Sequence, residues 1–318
     1  MPRLQFTVDD LIDEVRALTD EENVDTVSTT RDILPALNRG QEYAWDILAK
    51  VYPDPIVKTS TLTLVSGTSD YDLPEDTFQD RIVKLETIIT TAASGSLYSR
   101  IDRISYEEAD LYETTGNYAY PYKYYVFGRK MHIIPTPSGA KNARMWYIRD
   151  PERLIVKQGR ITAVNSGSLY VDLDAVGSGL STTADALANY VNVIDGQTGE
   201  VKSSMQISTI DSTTNNRITF RSALSRSTVL GRTIGASMAS TTSVDDYLCL
   251  VQGTCVPFYA APVVNFLVQF AVLQISPNKG GGDAMTEAQL LKIFKEQVES
   301  NWAGREPTTK IKSTSGIW

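Results

Sequence analysis

The spacing of hydrophobic residues predicts helices at both ends of the chain. One helical face near the start carries five apolar side chains, Val8, Leu11, Ile12, Val15 and Leu18. Thr7 is placed to cap that helix, and a second helix is predicted from about residue 33 to 51. Toward the other end, helical spacing recurs at three ranges, 244–252, 257–275 and 283–302. We expect the two end groups to form one helical bundle.

Between these helices, the pattern changes to the alternation typical of strands. Strands are predicted at 56–65, 82–90, 98–104, 123–127, 130–134 and 143–149, with a short helix at 106–112. The connections are short, which favours an antiparallel arrangement throughout.

Residues 155–243 differ from the rest of the chain in composition. They contain no proline and are rich in serine and threonine, and short Val/Ile runs alternate with Asn, Gly and Asp turns. The predicted strands are 159–164, 169–173, 190–194, 205–210, 217–220 and 232–234. We interpret this region as a separate all-β module, either a small barrel or a sandwich.

The expected fold class is therefore α+β. A discontinuous helical bundle from both chain ends would carry an antiparallel β region and an inserted small all-β domain. The expected boundaries are 1–154 for the first part of the bundle plus the sheet, 155–243 for the inserted domain, 244–302 for the second part of the bundle, and 303–318 for an extended C-terminal arm.

The charge balance limits the classes of partner. With 30 Lys and Arg against 38 Asp and Glu, the formal net charge is -8. This argues against a whole-surface electrostatic attraction for nucleic acid or anionic lipid. The start of the chain lacks the pattern of a secretory signal. The uncharged run 247–278 is interrupted by prolines and amides, so we expect a buried or subunit-interface helix and no membrane span.

Residues for catalysis or metal binding are sparse. His132 is the only histidine and fits the alternation of a hairpin strand. Cys249 and Cys255 have a spacing that fits neither a redox pair nor a zinc site. Asp172 and Asp174 lack the glycine and glutamate of a calcium loop. We therefore expect no catalytic residue, no metal and no cofactor.

A tyrosine-rich stretch at 118–125 has two interpretations. Its aromatic rings and Lys123 are of the kind that stack on bases or sugars. A partly exposed strand or a subunit contact is the favoured interpretation, because few basic residues lie nearby.

Two segments carry a resemblance to a known family. The predicted second helix contains ILPALNRGQE at 33–42, and SDYDLPEDTF at 69–78 precedes a predicted strand. Together with the order of elements, they resemble the head-to-tail connector, or adaptor, proteins of tailed bacteriophages, of the tail-tubular-protein-A type. The resemblance covers about residues 1–150 and 244–318, and the β module is larger than that family requires.

The resemblance implies a structural virion protein without enzymatic activity. Such proteins form a dodecameric ring that docks on the portal protein, extends the DNA channel and receives the tail tube, nozzle or other tail proteins. DNA passes through the lumen without specific binding, and no membrane is involved. The implied location is the head–tail interface of the virion, after synthesis in the host cytoplasm.

The last sixteen residues are predicted to be the portal-binding arm. Their apolar side chains are too sparse to form a core, and basic residues outnumber acidic ones. The predicted contact residues are Arg305, Thr308, Thr309, Lys310, Ile311, Lys312, Ile317 and Trp318. The alternative is that this segment folds back over its own bundle.

Two other functions remain open at this point. A baseplate or fibre-associated protein would bind glycans through residues 155–243, and binding by that region alone would favour it. A cell-wall hydrolase would use paired carboxylates, which a sequence with many acids cannot exclude. Turnover of peptidoglycan would identify that enzyme.

Overall fold

The computed structural model describes residues 6–19, 27–92, 95–113, 121–183, 186–197, 199, 201–213, 216–222, 228–230, 232–235, 238, 242–257, 261–275 and 287–302. The chain divides into two compact units. One combines Met1–Ile47 with Glu152–Trp318, and the other is Leu48–Pro151.

The helices over these residues are α1 (Val8–Thr19), α2 (Leu34–Val51), α3 (Ala109–Glu113), α4 (Ala261–Ile275) and α5 (Glu287–Trp302). The predicted cap of α1 is confirmed. The Asp10 amide donates to the Thr7 hydroxyl at 3.3 Å, and the Thr7 amide donates to the Asp10 carboxylate at 2.7 Å. This reciprocal pair satisfies amides that the first turn of a helix leaves free.

Helix α4 is the apolar centre of the helical part of the first unit. Its buried side chains are Val263, Val264, Phe266, Leu267, Val268, Phe270 and Ala271. Phe266 stacks on Phe294 of α5 with ring centroids 4.3 Å apart. Gly40 of α2 lies so close to α4 that a Cβ would sit 3.0 Å from the Phe270 ring. The expected buried helix within 247–278 is thus confirmed for 261–275.

The first unit also contains the β module, which is a closed six-stranded barrel. Its strands run in the order β10-β11-β12-β9-β8-β15, and their ranges are β8 (Gly159–Asn165), β9 (Tyr170–Leu173), β10 (Tyr190–Ile194), β11 (Val201–Asp211), β12 (Arg217–Phe220) and β15 (Tyr247–Leu250). A separate two-stranded ribbon joins β13 (Thr228–Val229) to β14 (Arg232–Thr233). The α+β class with an all-β barrel is confirmed.

The predicted helix at 244–252 is wrong. Tyr247–Leu250 is a strand that closes the barrel by pairing with β10 and β8. Leu248 points into the barrel core, whereas Cys249 belongs to a second buried cluster on the other side. Because both faces of this strand are buried, its apolar run shows no alternation that would distinguish it from a helix.

The second unit is a seven-stranded sheet in the order β1-β7-β3-β4-β5-β6-β2. The strands are β1 (Val57–Leu64), β2 (Asp70–Asp72), β3 (Thr77–Ala92), β4 (Gly95–Arg103), β5 (Lys123–Phe127), β6 (Lys130–Ile134) and β7 (Lys141–Arg149). One core cluster combines side chains of β1, β3, β4 and β7 with side chains of β2, β5 and β6. Side chains of all seven strands therefore share a single core.

The prediction of a wholly antiparallel sheet is wrong for one pair. Strands β4 and β5 run parallel, with Asp102 opposite Lys123. Parallel neighbours need a longer crossover, and here it carries the 3₁₀ turn Tyr106–Glu108 followed by α3. The predicted short helix at 106–112 is the element that makes this crossover.

Candidate docking surfaces

Within the described ranges, no group of three His, Cys, Asp or Glu side chains is placed to hold a metal ion. The same residues contain no helix with both the length and the hydropathy to cross a membrane.

His132 lies on β6 and is held by two neighbours. Its Nδ1 is 2.6 Å from the carboxylate of Asp70 on β2, and its ring stacks on Tyr125 at 4.6 Å. The Ser69 hydroxyl donates to Asp70, and this hydrogen bond, together with His132, lowers the pKa of the carboxyl. These residues line a cleft of about 450 Å³. The predicted position of His132 on a strand of the hairpin is confirmed, and its ring stacks there on Tyr125.

Both cysteines are buried in the core cluster that lies against the outside of β10 and β15. The Cys249 thiol donates to the Gly253 carbonyl at 3.2 Å. Burial, with the neighbouring Cys255, raises the pKa of Cys249 well above its usual value. A thiol held in its neutral form and away from solvent is a packing group and a poor nucleophile.

The segment ILPALNRGQE, at residues 33–42, forms hydrogen bonds to the backbone that precedes the first barrel strand, β8. Asn38 donates to the Leu154 carbonyl at 3.0 Å and accepts from the Leu154 amide at 2.8 Å. Gln41, only 3% exposed, donates to the Glu152 carbonyl at 2.9 Å. Two amide side chains of α2 thereby satisfy the backbone that leads into β8. This gives the segment a structural reason for its residue types.

Helix α1 is likewise hydrogen-bonded to the segment that precedes the first barrel strand, β8, and to the segment that follows the last, β15. The Val8 amide donates to the Cys255 carbonyl at 2.9 Å, and the Lys157 amide donates to Asp9 at 3.3 Å. Burial raises the pKa of Asp9, and the hydrogen bond from Lys157 opposes that shift. Helices and barrel are therefore connected by hydrogen bonds that involve backbone groups of the barrel's flanking segments.

The segment SDYDLPEDTF, at residues 69–78, forms hydrogen bonds to other parts of the sheet in the second unit. The Val65 amide donates to the Tyr71 hydroxyl at 2.8 Å. Asp76 accepts from the Tyr147 hydroxyl at 2.8 Å and from the Lys58 ammonium at 2.7 Å. Burial alone would raise the pKa of Asp76, but these two donors outweigh it, so that the pKa is lowered.

A partly buried charge cluster lies on the barrel. The Lys202 ammonium is 2.8 Å from the Asp246 carboxylate and 2.9 Å from that of Asp195. Asp246 is only 3% exposed and also accepts from the amides of Gly196 and Ser243. One cation thus ties β10, β11 and the approach to β15 together.

One outer face of the sheet in the second unit carries a cluster that we call the cation–aromatic face, formed by Lys84, Tyr98, Arg100, Arg144 and Trp146. The Arg144 guanidinium lies 4.2 Å from the ring centroids of both Tyr98 and Trp146, and Lys84 lies 4.8 Å from that of Trp146. Glu86 pairs with Arg144 at 3.3 Å and also with Lys84. Arg100 lies opposite Glu86 and is 69% exposed.

A second exposed cluster, the acidic–aromatic corner, is formed by Tyr106, Glu107, Asp110, Leu111 and Phe127. Tyr106 stacks on Phe127 at 5.2 Å and meets Tyr125 edge-on at 5.7 Å. Tyr106 and Phe127 are each 61% exposed, and Leu111 is 72% exposed. Tyr106 and Phe127 thus form an exposed aromatic pair in direct contact, and exposed apolar patches mark interaction surfaces.

The predicted portal-binding arm, 303–318, lies outside the described residues, as do Tyr118 and Tyr120 of the tyrosine-rich stretch. The described part of the tyrosine-rich stretch includes Tyr125, which joins the stacked rings beside the acidic–aromatic corner.

The sequence interpretation did not identify the cation–aromatic face. A signal was present, because Arg144 and Trp146 alternate with the core residues Ala143, Met145 and Tyr147.

A family model described as SU10 adaptor protein matches residues 6–176, which is more than half of the chain. The chain belongs to the SU10 adaptor protein family. The match supports a phage structural adaptor, and it does not extend to the narrower tail-tubular-protein-A type. No curated protein matches the sequence.

The matched range explains why the two segments in the sequence were informative. It includes α1, α2, the whole second unit and the first two strands of the barrel of this adaptor. Both segments lie within it, and the side chains of both form hydrogen bonds to parts of the chain outside the segment. Membership of a phage adaptor family implies a virion component that contacts other virion proteins.

Proposed function

We propose that this adaptor forms a ring, a dodecamer, that docks on the portal protein, extends the DNA channel and receives the tail. The observation that carries the proposal is the family match over residues 6–176. An adaptor at the head–tail interface joins the portal to the tail tube, nozzle or other tail proteins.

The charge of the chain supports a channel that DNA crosses without specific binding. The formal charge of -8 and the sequence pI of about 4.9 disfavour strong contacts with phosphates. DNA that must leave the head quickly needs a lumen that does not hold it. The proposed role is structural, and we assign it no reaction and no cofactor.

The residues of the proposed portal contact are those of the arm: Arg305, Thr308, Thr309, Lys310, Ile311, Lys312, Ile317 and Trp318. Support comes from composition, since the arm has three basic side chains against Glu306 alone and ends in a tryptophan. Such a segment gains affinity by adding backbone hydrogen bonds to an exposed strand or groove while its apolar side chains fill pockets.

The test is deletion of residues 304–318, followed by portal binding and thermal unfolding. We expect portal binding to be lost and the melting temperature to stay nearly unchanged. A matched control replaces the same residues with a Gly-Ser segment of equal length, which separates the arm's side chains from its length. A large fall in melting temperature with portal binding intact would contradict the arm and favour a segment that folds back on its own unit.

A further inference from the structure

The cation–aromatic face has the composition of an interface centre. Tryptophan, tyrosine and arginine dominate the binding energy of measured protein interfaces. Here Arg144 is held between Tyr98 and Trp146, and Glu86 fixes its guanidinium from the side. Side chains already held by their neighbours lose little conformational entropy on binding. The face is therefore preorganised for a partner, and the side chains of Arg100 and Lys84 are 69% and 43% exposed.

The charge of this face indicates an acidic partner. Three cations, Lys84, Arg100 and Arg144, stand against two acids, Glu86 and Asp102. Asp102 pairs with Arg100 at 3.4 Å and is shared with Lys123 at 3.2 Å, so positive charge remains in excess. The excess of positive charge contrasts with the negative charge of the whole chain. A partner with acids around exposed aromatic rings would match both properties.

The acidic–aromatic corner of the same unit has that composition. The segment from Tyr106 to Tyr112 contains three acids and no base, and its exposed Tyr106 lies against Phe127. Arg103 and Lys130 flank the corner, but Asp72 lies opposite Lys130 on β2 and offsets it. Acids therefore remain in excess around the exposed rings.

The two surfaces are complementary, and they lie on different elements: the face on β3, β4 and β7, and the corner on β5 and the crossover that precedes it. Among the described residues, no ion pair or ring contact joins one surface to the other within a copy. We propose that the cation–aromatic face of one copy binds the acidic–aromatic corner of the next copy. The contact is head-to-tail, the type that closes into a ring when the rotation between copies permits. The inference rests on the ring proposed above and names its surface.

Reciprocal charge reversal tests this contact in the full chain. Arg100→Glu changes the most exposed cation of the face, and Asp110→Lys changes an exposed acid of the corner. Sedimentation over a concentration series should show association of the wild type, and each single variant should weaken it at least about tenfold. The double variant restores the opposite charges and should return close to wild type. Lys292→Glu on α5, with a side chain 78% exposed, is the control and should have no effect.

Three results would overturn the proposed contact: a wild type that stays monomeric at the highest reachable concentration, single variants that associate like the wild type, or a double variant no better than the singles. Portal binding by dilute Arg100→Glu separates this failure from failure of the adaptor function. That binding uses the arm, so we expect it to be unchanged when the contact between copies is lost.

Discussion

The barrel of the first unit and the sheet of the second are both built mainly of antiparallel strands, but only the barrel is closed. Its strands close into a ring, and its buried amides bond internally: Gln206 donates to Asn189 at 2.8 Å, and Ser204 donates to Asn192 at 2.7 Å. In the sheet, β1 pairs only with β7 among the described residues, and aromatic side chains remain exposed. Closure removes the free strand edges that invite pairing, whereas an open sheet retains them.

The difference indicates that the barrel contributes mainly to folding stability, whereas the sheet provides surfaces for contacts with other protein chains. We expect substitutions in the buried polar groups of the barrel to affect folding. Substitutions on the exposed sheet surfaces should affect association and leave folding nearly intact.

The largest expected effect is on the barrel's charge cluster. Asp246→Asn removes the carboxylate nearest to Lys202 and should lower the free energy of unfolding by about 2 kcal/mol, because the partly buried Lys202 then keeps only Asp195 as a charged partner. Urea denaturation measures this. The neighbouring Asp245, 61% exposed on its side chain, provides the matched control Asp245→Asn, which should unfold like the wild type. Equal effects of both variants would remove the distinction between buried and exposed charge.

The same cluster predicts a loss of stability in alkali. Burial lowers the pKa of Lys202, but hydrogen bonds to Asp246 and Asp195 outweigh it and raise the folded pKa above 10.5. The stabilisation is complete below the unfolded pKa and is lost as the pH rises through the folded pKa. Lys202→Arg keeps its charge in alkali, so its denaturation midpoint should fall less with pH than that of the wild type. A parallel fall in both proteins would exclude Lys202 as the cause.

The sheet should respond to acid instead. The folded pKa of Asp76 lies below the usual 3.8, since the donors Lys58 and Tyr147 outweigh the effect of burial. Its stabilisation is present above that unfolded value and is lost as the pH falls through the folded pKa. Asp76→Asn should therefore flatten the acid side of the stability profile. An unchanged acid profile would show that other carboxyl groups determine it.

A smaller effect is expected on the cation–aromatic face. Arg144→Lys keeps the charge but removes the planar group between Tyr98 and Trp146, and should cost about 1 kcal/mol of unfolding free energy. Arg100→Lys, on the exposed side of Glu86, serves as the control and should cost nothing measurable. A neutral Arg144→Lys would mean that the stacking does not stabilise the fold.

The smallest effect on folding is expected at the acidic–aromatic corner. Phe127→Ser removes an aromatic side chain that is 61% exposed, so the melting temperature should hardly change. Self-association should weaken clearly, because the exposed ring is buried only between copies. A marked fall in melting temperature would indicate that the ring stabilises its own unit.

Local patterns predicted most of the individual elements. Strands β10 and β12 have the predicted bounds, and so do β5 and β6 of the hairpin. Each of these strands is flanked by turn residues, which fix where it begins and ends. The cap at Thr7 followed from a residue type with one preferred role at a helix start.

What the sequence did not reveal depends on contacts between distant residues. The strand at 247–250 was predicted as a helix because both of its faces are buried, which removes the alternation. The parallel pairing of β4 and β5 is decided by a crossover whose path no local pattern specifies. The charge cluster of Lys202, Asp195 and Asp246 joins residues that are up to 51 positions apart in the numbering. Only the folded chain brings them together.

The most direct test of the adaptor function is electron microscopy of the purified chain mixed with its portal protein. We predict class averages in which an additional ring, made of copies of this chain, sits on one end of the portal and continues its channel. Portals that remain bare at saturating concentrations of a correctly folded chain would contradict the account.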